Sequence, residues 1–89
     1  MKPLESSIER RACERAQMEY GVESVKLLKR KGLPDRLFLV PGWPLLIEFK
    51  RLGEEPTKFQ NLVHRRWRSY GYQVEVCDTV EEALDHIVA

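Results

Sequence analysis

Two short apolar runs, Leu37–Val40 and Leu45–Phe49, flank the segment Val40-Pro41-Gly42-Trp43-Pro44, and no other feature limits the possible folds of this chain so strongly. Proline fixes its own φ and glycine accepts conformations closed to other residues, so this segment reverses the chain and the flanking runs read as a β-hairpin. Leu33-Pro34 sets up the first strand, because proline lacks a donor and pushes the residue before it into extended backbone. Side chains alternate along a strand. Asp35, Leu37 and Leu39 therefore share one face of the first strand, and Arg36, Phe38 and Val40 the other. On the return, Leu46, Glu48 and Lys50 share a face opposite Leu45, Ile47 and Phe49.

A reversal centred between Pro41 and Gly42 sets Asp35 across from Glu48. Directly opposed residues have Cβ atoms about 4.5–5.5 Å apart, and like charges at that distance repel. A divalent cation between the carboxylates removes the conflict, and oxygen-rich sites of this kind suit Mg²⁺ or Mn²⁺. Lys50 projects on the same side as Glu48, where an ammonium can hold or activate water or neutralise charge developing on a phosphate. The competing reading is an ordinary Glu/Lys pair on a polar strand face; Asp35 is what gives the triplet weight.

Charge along the chain supports a polyanionic partner. Residues 1–25 carry four Lys/Arg against five acids, residues 26–68 eleven against four, and residues 69–89 none against five. A basic middle around an acidic pair attracts phosphates, although a solvated basic face has the same composition. At 89 residues the expectation is one domain, 1–89, with a small core. Two cysteines, Cys13 and Cys77, read as intracellular thiols and not as a disulfide framework. There is no long apolar span, and the start of the chain lacks the apolar stretch of a signal peptide, so a soluble cytoplasmic protein is expected.

A first helix is expected over residues 7–20, with Leu4, Ile8, Ala12, Ala16 and Tyr20 as its apolar stripe and Gly21 as its stop. Glu9 lies beside the stripe, but Ser6 and Glu9 also have capping-box spacing. Residues 22–28 read as a first strand, leading into Lys29-Arg30-Lys31-Gly32, either a phosphate-facing turn or a solvated loop. Beyond the hairpin, a helix over residues 57–69 has Phe59, Leu62, Val63 and Tyr70 as its expected buried stripe. Gln60, His64 and Trp67 lie on its flank. Thr57 and Gln60 again have capping-box spacing; His64 reads as a surface histidine or one that supports a ligand, and Trp67 as packing. After Gly71 come a strand over residues 72–77 and a last helix capped by Asp78 or Thr79, with Val80, Ala83, Leu84, Ile87 and Val88 inward. Its acidic surround places it away from a polyanion.

Gly32-Leu33-Pro34-Asp35, followed after thirteen residues by Glu48-Phe49-Lys50, resembles the PD-(D/E)xK nuclease superfamily. The surrounding residues resemble its VRR-NUC (virus-type replication-repair nuclease) branch: Glu9 in the first helix, Gln60 at the start of the next, and a terminal strand-helix unit introduced by Tyr70-Gly71-Tyr72. The likeness spans nearly the whole chain.

The resemblance implies an α/β, restriction-endonuclease-like core of order α-β-β-β-α-β-α around a mixed central sheet. It implies that Asp35, Glu48 and the backbone carbonyl of Phe49 hold Mg²⁺ or Mn²⁺, with Glu9 reaching the ion directly or through water. Lys50 would be the catalytic lysine, and Gln60 would orient it or contact the scissile region. The expected activity is hydrolysis of DNA phosphodiesters by metal-activated water; so short a chain has little surface for recognising sequence, so selection by DNA shape, and a branched DNA, is favoured. A homodimer acting on four-way (Holliday) junctions is the leading expectation, in the cytoplasm of a bacterial or phage-infected host cell. Lys29, Arg30, Lys31, Arg36, Arg51, Lys58, Arg65 and Arg66 are the cations set against DNA, and Arg68 is a further phosphate contact. The alternatives are a flap or nicking nuclease, a nuclease subunit of a replication-repair complex, or a non-catalytic nucleic-acid-binding module.

Overall fold

A computed structural model describes residues 4–28 and 30–89. The chain runs α1 (Glu5–Tyr20), β1 (Ser24–Lys26), β2 (Arg36–Val40), β3 (Trp43–Phe49), α2 (Lys58–Ser69), β4 (Gln73–Cys77) and α3 (Val80–Val88). This is the α-β-β-β-α-β-α order expected from the sequence.

The hairpin forms with the expected register: Val40 pairs with Trp43 and Arg36 with Ile47. The four strands lie in the order β1-β2-β3-β4, antiparallel except for the parallel pair of β3 and β4. That parallel pair requires a crossover, which α2 supplies. The β1 edge is shorter than the expected strand over residues 22–28, because the Val22 N–H is drawn back to the Ala16 carbonyl at the end of α1.

Alternation along the strands builds two layers of helix. Phe38, Leu45, Ile47 and Phe49 are buried in one cluster with Ile8, Ala12 and Ala16 of α1 and Ala83, Leu84 and Ile87 of α3. Leu46 and its register partner Val74 face the other side, where Val63 of α2 is also buried. The acidic helix α3 thus lies across the sheet from α2, as its charge implied. Both cysteines are free, and Cys77 is fully buried.

Local signals account for the helix ends only in part. Gly21 closes α1 in the left-handed conformation, its N–H donating to the Gln17 carbonyl at 3.0 Å and the following Val22 N–H to that of Ala16 at 3.1 Å. At the other end the helix begins at Glu5 after an extended Leu4, with no side-chain cap, so Ser6 and Glu9 do not form a capping box. Thr57 caps α2 in a complete capping box with Gln60, and Thr79, not Asp78, caps α3. The stripe expected on α2 is corrected: Val63 and His64 are buried, while Phe59, Leu62 and Tyr70 are exposed. Leu4, Tyr20 and Val88 are likewise exposed. No helix among the described residues is long and apolar enough to cross a membrane.

Candidate active site

Asp35 lies one residue before β2, and hydrogen bonds to β3 fix it in place. Its N–H donates to the Ile47 carbonyl at 3.0 Å, and its Oδ2 accepts from the Phe49 N–H at 2.7 Å. The hairpin register, continued by one residue, sets Asp35 beside Glu48. Burial pushes the Asp35 carboxyl up to about 6; Glu48 and Glu9 add to the rise, and the Phe49 hydrogen bond and Lys26 oppose it.

Glu48 is only 3% exposed, although it carries a carboxylate. Its Oε2 accepts from Gln60 Nε2 at 3.2 Å and lies 3.7 Å from Lys50 Nζ. Its Oε1 is buried with no hydrogen-bond partner among the described residues. Lys50 is held along β3 by its own N–H, which donates to the Cys77 carbonyl at 2.9 Å.

Gln60 completes the capping box that its spacing to Thr57 offered, and its amide also reaches Glu48. Its Oε1 accepts the Thr57 N–H at 2.9 Å while its Nε2 reaches Glu48. The cap therefore aims the amide at the Glu48 carboxylate.

Glu9 is held differently. Its Oε2 accepts from Lys26 Nζ at 2.8 Å and from Arg36 Nε at 2.7 Å. Lys26 Nζ also lies 3.7 Å from Asp35 Oδ1, so one ammonium links Glu9 to the Asp35 carboxylate. Sequence reasoning missed Lys26. The available signal was register: Lys26 pairs with Arg36 across β1 and β2, which sets two cations side by side opposite a helix carboxylate.

The remaining cations divide into free and engaged groups. Arg30 and Lys31 are exposed before Gly32, and Lys31 lines a cleft with Thr57, Phe59 and Gln60. Lys58, Arg65 and Arg66 are exposed on α2. Arg51 is exposed with Nε 3.8 Å from Glu54, and Arg36 is engaged by Glu9. Arg68, read as a phosphate contact, instead donates from Nε and Nη2 to the Val74 carbonyl at 3.0 and 2.7 Å, tying α2 to β4. Lys29 lies outside the described residues.

Among the described residues no three His, Cys, Asp or Glu side chains form a ready metal cage. Two crowded carboxylates nevertheless suit a hard divalent ion, since Mg²⁺ is commonly held by one or two carboxylates together with water and substrate phosphate. The buried Glu48 carboxylate beside the raised Asp35 carboxyl is the observation that fits such an ion.

The mixed sheet is flanked by helices and brings together Asp35 just before β2, Glu48 in β3 and Lys50 just after it. The fold is similar to that of a VRR-NUC domain: a solved structure described as a VRR_NUC domain aligns with a TM-score of 0.82 and 29% identity, over 93% of this chain and 92% of that one. The chain is also 43% identical over 51 residues to the putative nuclease p44 of Acyrthosiphon pisum secondary endosymbiont phage 1. That match covers 56% of this chain, which spans about half of the relative's length (55%). No protein-family model matches the chain. The resemblance to the VRR-NUC domain and the expected fold class are thereby borne out.

Proposed function

We propose that this chain is a nuclease, and more narrowly a Mg²⁺- or Mn²⁺-dependent endodeoxyribonuclease that hydrolyses phosphodiester bonds. The observation that carries this reading is the convergence of Gln60 and Lys50 on one oxygen of the buried Glu48, on the strand that also fixes Asp35. A bound divalent ion would supply Lewis-acid chemistry and lower the pKa of a water molecule. Asp35, Glu48 and the Phe49 backbone carbonyl would hold it, with Glu9 contributing directly or through water.

The chain's own groups do the rest. Lys50 places a positive charge next to Glu48, where it can orient a nucleophilic water and offset charge developing on the phosphate. Gln60 fixes the Glu48 carboxylate and is itself fixed by the helix cap, so little reorganisation is needed at reaction. Arg30, Lys31, Lys58, Arg65 and Arg66 offer exposed charge to the phosphates on either side, and such contacts position DNA without reading its sequence. This favours selection by shape, and a branched DNA such as a four-way junction is the substrate we assign.

A two-fold symmetric junction calls for two sites, which a homodimer supplies. The apolar hollow lined by Leu27, Leu37, Leu46, Trp67, Tyr70 and Tyr72 is the surface we assign to the second copy. The likeness to the phage protein described as putative nuclease p44 supports a place in a bacterial or phage-infected cell.

The test is cleavage of four-way, flap, forked and linear DNAs with Mg²⁺ or Mn²⁺, beside Asp35→Ala and Lys50→Ala. Paired nicks on the four-way junction, lost in both variants, are expected. Equal cutting of all four DNAs would remove the junction assignment; cleavage unchanged in both variants would remove the nuclease site.

A further inference from the structure

His64 is 0% exposed, and neither of its ring nitrogens has a hydrogen-bond partner among the described residues. Its Nε2 faces Glu48 Oε1 at 3.8 Å, and that oxygen is also buried without a partner. An unpaired buried polar group costs about 1–3 kcal/mol, so a histidine that only filled space here would be worse than leucine. Two unpaired polar atoms facing each other, Nε2 and Oε1, instead suggest a bond that closes under some condition. The separation is too long for a hydrogen bond, and a shift of about 1 Å would bring it into range.

The other oxygen of Glu48 shows what that condition is. Oε2 faces Gln60 and Lys50, whereas Oε1 is buried and faces His64. We infer that His64 is a positioning residue that takes Oε1 of Glu48 through Nε2–H, so that Glu48 presents Oε2 alone to a divalent cation. The assignment rests on the metal-site reading above and deepens it. With Nε2 carrying its proton, the imidazole restrains rotation of the carboxylate on the side away from the ion. Hydrogen-bonded partners of this kind commonly set the affinity of a ligating carboxylate.

The test is Mn²⁺ binding by titration calorimetry on the DNA-free chain, with thermal melts in parallel. The unaltered chain should bind and Asp35→Ala should not. His64→Leu should melt higher, since it removes unpaired buried atoms, yet bind Mn²⁺ about 10–100-fold more weakly. His64→Gln, which keeps a donor near the Nε2 position, should recover most of the affinity, and His64→Asn, whose shorter amide falls near Nδ1, should not. A residue that only supported packing would change the melt and leave the affinity alone. Wild-type Mn²⁺ affinity in His64→Leu, or equal affinity in the Gln and Asn variants if the Leu variant does not fold, overturns the His64 assignment by itself. Failure of the unaltered chain to bind Mn²⁺ overturns the metal reading, and this assignment with it.

Discussion

Gln60 reaches from α2 to Glu48 on β3, its Nε2 3.2 Å from Oε2, while its own Oε1 accepts the Thr57 N–H. Helix capping and site geometry are thus coupled through one amide. Gln60→Glu should keep the cap, because glutamate serves equally well at that position. It should nonetheless abolish DNA cleavage by setting a third carboxylate against Glu48. Gln60→Ala should lose the reciprocal bond from the Thr57 N–H while keeping the Thr57 side-chain cap, at a cost of about 0.5–1.5 kcal/mol in urea denaturation. Cleavage by Gln60→Glu at the unaltered rate would show that the amide donor is not needed.

Asp35 gives the fold a pH dependence of unusual sign. Its carboxyl is raised to about 6 from an ordinary 3.8, so the folded state holds the proton more tightly than the unfolded one. Between those values the native chain binds more protons, and stability falls as pH rises through about 6. The shift corresponds to at most about 3 kcal/mol, which solvent screening at this part-exposed carboxyl reduces to about 1–2 kcal/mol. In EDTA, Asp35→Asn should therefore raise the melting temperature at about pH 8 and bring little change near pH 4. An equal gain at both pH values would contradict this.

Glu9 holds two cations on one oxygen, and its side chain is only 13% exposed. Glu9→Gln leaves Lys26 and Arg36 facing each other without their anion and should cost about 1–2 kcal/mol. Lys26→Ala should cost less than about 1 kcal/mol, since the Arg36 bond remains. Chemical denaturation of the two variants checks the order, and a larger loss for Lys26→Ala would mean that Glu9 is not the centre of this cluster.

The turn that carries Arg30 and Lys31 depends on Gly32. Its φ is +81°, and an added Cβ would lie 2.8 Å from Val63 Cγ2 and 2.9 Å from Phe59 Cδ2. Gly32→Ala should destabilise the fold by about 1–3 kcal/mol. Adding Phe59→Ala should not restore wild-type stability, because the contact with Val63 and the backbone conformation are both still unfavourable. Full recovery in the double variant, measured by urea denaturation, would assign the whole cost to Phe59.

Legibility in the sequence followed the range of the interaction. Pro41-Gly42 fixed the hairpin register, and with it the approach of Asp35 to Glu48, because both features depend on residues within one reversal. Gln60 was readable as a cap from its spacing to Thr57, whereas its reach to Glu48 needed the tertiary fold. The pairing of Glu9 with Lys26 and Arg36 joins elements 17 and 27 residues apart and left no local signature. The stripe of α2 was misread because hydrophobicity favoured Phe59, Leu62 and Tyr70, while the sheet beneath presents Glu48 and so takes His64.

The hairpin turn has a bearing on chemistry it never touches. Strand rise places Pro41-Gly42 about 20 Å from Asp35 along β2, yet each residue added at the turn shifts which side chain of β2 stands across from Glu48. β3 cannot compensate by sliding, because its other edge is locked in parallel register to β4. A one-residue insertion would exchange Asp35 for a neighbour whose side chain points to the opposite face. The turn therefore acts as a ruler for the Asp35–Glu48 pair, and its length should be harder to change than its composition.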